Sequence, residues 1–388
     1  MTDRARMRVA ILGCTGSVGS QALDVCRKHS DRLQVVALSA HSRIESLARA
    51  AGEFGVHHVC VTDEAAAAHA ASLLPDGCTL HTGTAGLCEL STLDEVDCVL
   101  VSVVGAAGLL PSLAALRSGK RLALANKEAL VIGGDLLMPL VAPGQLLPVD
   151  SEHSALFQCM QAGTRSEVYA IWLTCSGGPF FGMTRDELSQ VTVEQTLNHP
   201  TWSMGPKITV DSATLMNKGL ECIEAMHLFS CGIDDIRVLI HRQSKIHSMV
   251  EFADGSVIAH LGASDMRIPI QYALSYPERW DTPAERLDFR TLASLEFAAP
   301  DTDAFPCLRL AQDAGRTGGT APCVLNAANE VSVQAFLSGE CGFMDIPTVV
   351  EECLDAHDTQ PVESVEQLLD IDAWARDTAK HLLRSRRL

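Results

Sequence analysis

Two carboxylates near residue 150 are spaced so that they could hold a metal ion. In an extended chain Asp150 and Glu152 would project to the same side, and converging carboxylates repel each other unless they share a cation or a proton. Hard oxygen ligands favour Mg²⁺ or Mn²⁺. The local sequence fits a second hypothesis equally well, in which Asp150 or Ser151 caps a helix that begins near Ser154.

A second polar cluster lies in the segment 211–221, D-S-A-T-L-M-N-K-G-L-E. Its spacing places Asn217, Lys218 and Glu221 on one face of a predicted helix, for which Ser212 is the predicted N-cap. A solvated face with an ordinary Lys–Glu pair is the alternative. Two observations weaken that alternative: the glycine in the motif suggests close approach to another group, and the polar cluster is conspicuous among Leu, Met and Ile.

Two loops between these clusters also have compositions that suit binding. The segment 176–179, S-G-G-P, places a hydroxyl and glycine backbone after a predicted strand, which is typical of an anion cradle. The segment 199–205, H-P-T-W-S-M-G, suits a lid that closes over a substrate and excludes water, and the alternative is an ordinary loop anchored by a buried Trp202. We expect structural roles for four histidines that lack ligand spacing. These are His153, His241, His247 and His260.

A glycine-rich turn, G-C-T-G-S-V-G at 13–19, follows the first predicted strand and precedes a helix. Glycines let a backbone approach a pyrophosphate, and the helix N-terminus supplies free N–H groups. The alternative is a turn without a ligand, but the position in the first strand–helix unit favours a dinucleotide site. After the second strand, His41, Ser42 and Arg43 stand where NAD sites usually carry an acidic residue. We therefore predict NADP, unless Arg43 only opens a solvated helix.

The composition is that of a globular protein, with 388 residues, 47% of them hydrophobic, which predicts about two or three domains. The net charge of -18 argues against nucleic acid or an anionic membrane as a partner. None of the 14 cysteines forms a C-x-x-C pair, which argues against a zinc ribbon and a thioredoxin-like motif. Many unpaired thiols are typical of a reducing cytosol. The N-terminal apolar run is too short for a signal peptide, and glycines and a proline interrupt the uncharged stretch 98–116, so we expect no membrane span.

Short apolar runs alternate with helical patterns up to about residue 150, which predicts an α/β domain with a Rossmann-like parallel sheet. Its predicted strands are Arg8–Gly13, Leu33–Ser39, His57–Val61, Val96–Val103, Arg121–Ala125 and Gln145–Val149. The next pattern predicts an α+β domain with a largely antiparallel sheet and a hairpin turn at 254–255. Its predicted strands are Val168–Thr174, Arg237–Ile240, Ile246–Phe252 and Val257–Leu261. A proline-rich connection at 277–306 precedes a predicted helical bundle. The predicted helices after residue 150 are Ser212–Phe229, Ala321–Leu337, Ile346–Ala356 and Val365–Leu383.

With these motifs together, the chain closely resembles the 1-deoxy-D-xylulose 5-phosphate reductoisomerases. The matching segments run in the family's order: G-C-T-G-S-V-G-S at 13–20, V-G-A-A-G-L-L-P at 104–111, L-A-N-K-E at 124–128, L-P-V-D-S-E-H at 147–153, S-G-G-P-F at 176–180, H-P-T-W-S-M-G at 199–205, V-D-S-A-T-L-M-N-K-G-L-E at 210–221, Q-S-K-I-H-S-M-V at 243–250 and N-A-A-N-E at 326–330. The resemblance implies four parts: an NADPH-binding domain at 1–149, a central catalytic domain at 150–276, a linker at 277–301 and a C-terminal helical domain at 302–388. It also implies a cytoplasmic homodimer.

The resemblance implies conversion of 1-deoxy-D-xylulose 5-phosphate to 2-C-methyl-D-erythritol 4-phosphate, a step of isoprenoid precursor biosynthesis. The carbon skeleton rearranges to a branched aldehyde, which NADPH reduces, and the family uses Mg²⁺ or Mn²⁺, with Co²⁺ as a further alternative. Two rival functions are a simple NADPH-dependent aldehyde or semialdehyde reductase, which would need no metal, and a non-catalytic NADPH sensor. The three separated carboxylates count against both.

The resemblance also implies roles for individual residues. The NADPH contacts are Thr15, Gly16, Ser17, Val18, His41, Ser42, Arg43, Asn126, Glu128 and Gly205. The metal ligands are Asp150, Glu152 and Glu221. The substrate contacts are Ser176, Ser212, Asn217 and Lys218 at the phosphate, and Lys127, Ser151, Glu152, His199, Trp202 and Glu221 elsewhere. The catalytic residues are Lys127, Glu152 and His199.

Several positions depart from the family's usual sequence. His41-Ser42-Arg43 stands in place of a frequent Gly-Lys-Asn, so Arg43 would supply the charge of the lysine. Thr201 replaces a frequent Asn, and Arg242 and Lys245 replace Pro and Val. The acidic triad and the phosphate contacts are intact.

Overall fold

The structure is a computed structural model that describes residues 6–202 and 204–386. The chain divides into two compact units. The first contains the described residues up to Ala129, together with Pro139–Ser154 and Asp265–Glu285. The second contains Leu130–Met138, Ala155–Ser264 and the described residues from Arg286 onward.

Among the described residues, the first unit has a seven-stranded parallel sheet in the order β4-β3-β2-β1-β5-β6-β7. Its strands are β1 Met7–Leu12, β2 Leu33–Ala40, β3 His58–Val61, β4 Thr79–Thr82, β5 Cys98–Val101, β6 Arg121–Leu124 and β7 Leu146–Pro148. The central strand β1 is apolar on both faces, and its residues 9–12 are fully buried. A strand buried on both faces is what a parallel sheet covered by helices requires. The predicted Rossmann-like α/β fold is therefore confirmed.

The second unit has a four-stranded sheet in the described part of the chain, in the order β11-β10-β8-β9. Its strands are β8 Val168–Cys175, β9 Ile236–Ile240, β10 Ile246–Phe252 and β11 Val257–Leu261. The pairs β8–β10 and β10–β11 are antiparallel, whereas β8 and β9 are parallel. The predicted hairpin turn joins β10 to β11 through Gly255, which has a φ of +84°. The largely antiparallel sheet is thus confirmed.

Helices cover the sheets and form a bundle at the C-terminal end of the described chain. In chain order they are α1 Ser17–Lys28, α2 Ile44–Phe54, α3 Glu64–Ala70, α4 Gly83–Thr92, α5 Leu109–Arg117, α6 Lys127–Leu137, α7 Ser151–Cys159, α8 Arg185–Leu188, α9 Val193–Leu197, α10 Pro206–Ala213, α11 Met216–Phe229, α12 Arg267–Ser275, α13 Pro306–Thr317, α14 Ala321–Leu337, α15 Asp345–Asp355 and α16 Val365–Ser385. Short 3₁₀ helices are Gly105–Gly108, Met138–Leu140, Met160–Ala162, Arg165–Glu167 and Ile233–Asp235. The described residues include no helix that has both the length and the apolar character of a membrane span.

The prediction of one helix over Ser212–Phe229 is wrong, because the chain forms α10 and then α11 there. Leu215 lies between them with a left-handed φ of +62°, which a helix cannot contain. Its side chain is 3% exposed, so burial of the leucine offsets the backbone cost. Ser212 therefore lies inside the last turn of α10 and caps neither helix.

Gly219 of α11 contacts a neighbouring helix of the second unit. A Cβ atom at this position would lie 2.3 Å from the Cβ of Ala311 in α13. The sequence suggested close approach of some group to this glycine, and the group is α13 rather than a ligand. The packing holds α11, and therefore the polar cluster on its N-terminal turns, against the helical bundle.

Candidate active site

Two glycines of the glycine-rich turn between β1 and the start of α1 stand where no side chain would fit. Gly13 has a φ of +88°, and a Cβ atom there would lie 2.8 Å from the carbonyl oxygen of Ser102. A Cβ on Gly19 would lie 2.2 Å from the carbonyl oxygen of Gly13. The turn therefore brings bare backbone to the N-terminus of α1, where unpaired N–H groups and the helix dipole favour an anion.

The predicted nucleotide contacts Thr15, Gly16, Ser17 and Val18 lie in this turn and the first residues of α1. Beside them, burial raises the pKa of the Cys14 thiol to about 12. This thiol is therefore protonated at neutral pH and is not a nucleophile. The chemistry of this turn therefore fits the predicted role in binding.

Arg43 connects the end of β2 to the glycine-rich turn. Its Nη1 atom donates a hydrogen bond of 2.9 Å to the carbonyl oxygen of Thr15. His41 pairs with Thr62, with 2.9 Å between Nδ1 and Oγ1, and His41, Ser42 and Arg43 are all exposed. Arg43 is also the residue that directly precedes α2. It therefore stands at the start of a helix, as the alternative to a 2′-phosphate contact supposed. Its guanidinium nevertheless lies at the glycine-rich turn, where the pyrophosphate is expected.

Asn126 forms a hydrogen-bonded centre between β5, β6 and α6. Its Nδ2 atom donates to the carbonyl oxygens of Val103 at 3.0 Å and Gly105 at 2.9 Å, and to Glu128 Oε2 at 2.9 Å. Its Oδ1 atom accepts from the backbone N–H of Ala129 at 3.0 Å, and only 1% of the residue is exposed. These contacts fix the start of α6, which carries Lys127.

Lys127 and Asp150 form an ion pair at the carboxyl ends of β6 and β7, which are neighbours in the sheet. The Nζ atom lies 2.7 Å from Asp150 Oδ2, and both side chains are largely buried. Parallel strands bring their carboxyl ends to one edge, which is where ligands of such sheets bind. The predicted extended geometry at 150–152 is wrong, because α7 begins at Ser151. Ser151 instead donates its hydroxyl to Glu152 Oε2 at 2.5 Å.

His199 joins the two serines predicted to hold a phosphate. Its Nε2 atom lies 3.0 Å from Ser176 Oγ and 3.1 Å from Ser212 Oγ. Its Nδ1 atom accepts hydrogen bonds from the backbone N–H groups of Thr201 at 3.1 Å and Trp202 at 2.9 Å. Because Nδ1 is an acceptor, the neutral ring carries its proton on Nε2, between the serines.

The pKa of His199 is lowered from its ordinary value, chiefly by burial and secondarily by the nearby positive charge of Arg242. The imidazole is therefore neutral at pH 7. A neutral ring with a proton on Nε2 can donate a hydrogen bond to an anion or to a serine hydroxyl.

The N-terminal turns of α11 hold the second cluster. Asn217 Nδ2 donates to Glu221 Oε1 at 2.5 Å, and Lys218 Nζ forms an ion pair with Glu221 Oε2. The side chains of Lys218 and Glu221 are 2% and 1% exposed. The alternative of a solvated face is therefore wrong, because this face of α11 is buried.

The predicted lid, 199–205, lies between α9 and α10, and Ser203 is outside the described residues. Trp202 is only partly buried, with its ring centroid 6.3 Å from that of His247. Gly205 is exposed, and its carbonyl oxygen accepts a hydrogen bond of 3.1 Å from the backbone N–H of Thr209. The lid is thus attached to the helix that carries Ser212.

Comparison with known proteins gives the same family over nearly the whole chain. Models of three families match: 1-deoxy-D-xylulose 5-phosphate reductoisomerase at residues 9–134, its C-terminal domain at 146–229 and the DXP reductoisomerase C-terminal domain at 261–378. The 1-deoxy-D-xylulose 5-phosphate reductoisomerase of Chlorobium chlorochromatii is 50% identical over 97% of this chain and 99% of its own. That of Heliobacterium modesticaldum is 51% identical over 95% of each.

Solved structures agree with the sequence relatives. A reductoisomerase from Zymomonas mobilis in complex with NADPH matches with a TM-score of 0.91 and 42% identity, over 98% of this chain and 100% of its own. A DOX-P reductoisomerase in complex with NADPH, fosmidomycin and magnesium matches with a TM-score of 0.93 and 40% identity, over 98% of this chain and 99% of its own. The chain belongs to the 1-deoxy-D-xylulose 5-phosphate reductoisomerase family. The family predicted from the motifs is confirmed.

Within each unit, the structure brings together several of the residues expected of a reductoisomerase. The first unit pairs Lys127 with Asp150 and Ser151 with Glu152. The second unit brings two serines to His199 and groups three residues on α11. These groups are Ser176, His199 and Ser212, and Asn217, Lys218 and Glu221.

The sequence did not predict a buried link that fixes α10. Asp211 accepts a hydrogen bond of 2.9 Å from Asn329 Nδ2 of α14 and lies 2.8 Å from Lys207 Nζ. Asp211 is 1% exposed and directly precedes Ser212. The N-A-A-N-E motif at 326–330 was the available signal, but no spacing rule connects it to residue 211.

Proposed function

We propose that the chain catalyses the NADPH-dependent rearrangement and reduction of 1-deoxy-D-xylulose 5-phosphate to 2-C-methyl-D-erythritol 4-phosphate. The observation that carries the proposal is the cluster of Asn217, Lys218 and Glu221, in which the lysine and the glutamate are buried, in a chain of this family. A buried ion pair adds little net stability, so a role in binding explains why this one is present.

The phosphate of the substrate binds through Ser176, Ser212, Asn217 and Lys218. Two features support this assignment. The hydroxyls of Ser176 and Ser212 already share the Nε2 proton of a neutral His199, and Lys218 supplies a local positive charge in a protein of net charge -18. Binding energy at the phosphate, which does not react, orients the carbons that do.

Asp150, Glu152 and Glu221 are the proposed ligands of a divalent cation. The donors are all carboxylate oxygens, which fits Mg²⁺ or Mn²⁺, with Co²⁺ as an alternative, and does not fit a soft metal. A bound cation would polarise the substrate's carbonyl group and stabilise the negative charge that develops on its oxygens. The Nζ atom of Lys127 lies 2.7 Å from Asp150 Oδ2, so the lysine also orients this carboxylate.

Proton transfer is assigned to Lys127 and Glu152. Lys127 has an ammonium group at Nζ that can donate a proton, and Glu152 has a carboxylate that can accept one. Ser151 donates to Glu152 Oε2 at 2.5 Å, which holds this carboxylate beside a substrate contact. His199 orients the phosphate through its Nε2 proton, and Trp202 covers the substrate when the lid closes.

NADPH, when bound, supplies the hydride that reduces the branched aldehyde. Thr15, Gly16, Ser17 and Val18 would hold its pyrophosphate, where a glycine-rich turn meets the N-terminus of α1. The 2′-phosphate is held by the exposed segment His41-Ser42-Arg43. Asn126, Glu128 and Gly205 line the rest of the nucleotide site.

The organisation of the protein follows the same proposal. The functional parts are an NADPH-binding domain at 1–149, a catalytic domain at 150–276, a linker at 277–301 and a helical domain at 302–388. The location is cytoplasmic, which suits a chain with 14 cysteines and no disulfide among its described residues. The assembly is a homodimer, which suits the exposed apolar side chains of Tyr169 on β8 and of Val257 and Ile258 on the edge strand β11.

One assay tests the function and separates it from the rivals. NADPH oxidation is followed with 1-deoxy-D-xylulose 5-phosphate, with and without Mg²⁺ or Mn²⁺. We expect turnover that stops after exhaustive chelation and returns when the metal is restored. Activity that survives chelation would favour a simple reductase, and nucleotide binding without turnover would favour a sensor.

A further inference from the structure

Arg242 is a cation beside the turn formed by Ser176, Gly177 and Gly178. It follows β9, and its Nη1 atom donates to the carbonyl oxygens of Gly178 at 2.8 Å and Ser176 at 3.4 Å. Its guanidinium carbon lies 5.3 Å from the centroid of the Phe181 ring. In the described part of the chain, no carboxylate lies within ion-pair distance of this guanidinium. Its positive charge therefore remains unneutralised by the protein around it.

The turn that Arg242 contacts has an uncommon backbone. Gly177 and Gly178 both have positive φ values, +78° and +66°. A Cβ atom on Gly178 would lie 2.8 Å from the carbonyl oxygen of Ser212. Two successive glycines lose much conformational freedom when they are fixed, so this turn needs contacts that hold it.

Arg242 binds the carbonyl groups of the turn, whereas the Ser176 hydroxyl is at hydrogen-bond distance from His199. The backbone N–H of Gly178 donates to Ser176 Oγ at 3.1 Å, and the same oxygen lies 3.0 Å from His199 Nε2. A guanidinium that holds the carbonyls of residues 176 and 178 therefore fixes the direction in which Ser176 presents its hydroxyl. One arginine can do this because its planar donors reach two acceptors at once.

The charge of Arg242 also acts on the pocket beyond these contacts. Along with burial, it lowers the pKa of His199, which keeps that ring neutral between Ser176 and Ser212. In a protein of net charge -18, an unneutralised cation behind an anion site raises the local potential for a dianionic ligand.

We propose that Arg242 is a positioning residue for the substrate's phosphate group. It locks the 176–178 turn in the conformation that presents Ser176 and adds positive potential behind the pocket. This inference rests on the proposed function, because that function makes the pocket a phosphate site. The chemical class that the pocket would select is a dianionic phosphate or phosphonate.

The test compares Arg242→Ala and Arg242→Lys with Arg290→Ala. Arg290→Ala is a matched control, since it removes the same charge from the same unit. The side chain of Arg290 is 89% exposed, and among the described residues it pairs with Asp288 alone. For each protein, kcat and KM for 1-deoxy-D-xylulose 5-phosphate are measured. Calorimetry then measures the affinity for inorganic phosphate, and a melting curve measures Tm.

We expect Arg242→Ala to raise KM and weaken phosphate binding by about ten-fold, the scale of one charge-assisted hydrogen bond. Its kcat and Tm should stay near those of the wild type. Arg242→Lys should recover part of the phosphate affinity, and Arg290→Ala should match the wild type. Unchanged KM and phosphate affinity in Arg242→Ala would overturn the proposal, as would an equal loss in Arg290→Ala. A lower Tm with unchanged phosphate affinity would also overturn it, because that pattern marks a purely structural arginine.

The phosphate measurement keeps the two proposals separable. If the wild type fails to turn over the sugar phosphate, the proposed function fails, and inorganic phosphate still reports on Arg242. If the wild type turns over and the variants match it in both measurements, the inference fails and the proposed function stands.

Discussion

Lys218 and Glu221 form an ion pair across one turn of α11, and their side chains are 2% and 1% exposed. Removing two charges from water costs several kcal/mol for each ion, which mutual attraction only roughly offsets. Asn217 also donates to Glu221, at 2.5 Å. This helix therefore holds charged groups that a more stable packing would not contain, and we interpret them as groups held for binding.

Loss of one member of this pair should destabilise the protein more than loss of both charges. We expect Lys218→Met to lower the free energy of unfolding by about 3–5 kcal/mol, since Glu221 then loses its cation. The double variant Lys218→Met/Glu221→Gln should lose markedly less. Chemical denaturation measures both, and an equal or larger loss in the double variant would show that the pair is not strongly coupled.

The same lysine should determine phosphate affinity and lid closure. A charge-assisted contact contributes about 1.5–3 kcal/mol, so Lys218→Ala should lose roughly ten- to a hundredfold in substrate affinity. Fosmidomycin, which is bound in the structure of a relative, should protect the 199–205 loop from proteolysis in the wild type and much less in this variant. Lys380→Ala, on the exposed face of α16, is the control. Equal protection in all three proteins would show that the pocket and the lid are not coupled.

Glu152→Gln should remove a charged metal ligand and a proton-transfer group while preserving size. We expect kcat to fall by roughly 10²- to 10⁴-fold with an unchanged circular dichroism spectrum. Glu45→Gln, at an exposed position of α2 in the same unit, should keep normal turnover. Near-normal activity in Glu152→Gln would remove the basis for the assignment of both roles.

Arg43→Ala should affect NADPH far more than NADH, because only NADPH carries the 2′-phosphate. The exposed guanidinium of Arg43 donates at 2.9 Å to the carbonyl oxygen of Thr15 and belongs to the segment proposed to hold the 2′-phosphate. Its loss should therefore raise KM for NADPH by about tenfold or more. Arg49→Ala is the control, since Arg49 is an exposed arginine on α2, the helix that Arg43 precedes. If KM rises equally for the two nucleotides, Arg43 acts on the shared pyrophosphate turn and the 2′-phosphate contact lies elsewhere.

Two helical glycines should respond oppositely to alanine. At Gly219 a Cβ atom would lie 2.3 Å from the Cβ of Ala311, so Gly219→Ala should cost about 1–3 kcal/mol of stability through overpacking. At Gly52 in α2 the nearest atom would be the Cγ of Pro75, at 3.7 Å, so Gly52→Ala should be neutral or stabilising by up to about 1 kcal/mol. Thermal and urea unfolding of both variants check this, and a stable Gly219→Ala protein would contradict the close packing of α11 on α13.

Much of the fold could be predicted from local sequence, because buried strands and amphipathic helices repeat with different periods. The strand β4, Thr79–Thr82, was missed because T-L-H-T is short and polar, as an edge strand can be. The break at Leu215 was missed because a leucine with positive φ has no local signal. Only tertiary packing makes that conformation favourable.

The positions of the candidate site residues relative to one another were predicted correctly where spacing along one element decides the geometry. Asn217, Lys218 and Glu221 on α11 are the example. The positions were predicted poorly where the decisive contact joins distant segments. The link from Asp211 to Asn329 spans 118 positions, and Arg242 reaches the Ser176 turn from 66 positions away. No periodicity in the sequence encodes such contacts, since they depend on how elements pack.

The proposed rearrangement and reduction are tested most directly by the proton NMR signal of the product's methyl group. Wild-type protein is incubated with 1-deoxy-D-xylulose 5-phosphate, NADPH and Mg²⁺, and NADPH consumption is followed in parallel. Rearrangement places the methyl group on a carbon that bears no hydrogen, whereas simple reduction leaves it next to a CH–OH group. If the carbon skeleton rearranges as proposed, we expect a methyl singlet of the product that grows in step with NADPH oxidation. A methyl doublet would contradict this proposal, because the protein would then reduce the substrate without rearranging its carbon skeleton.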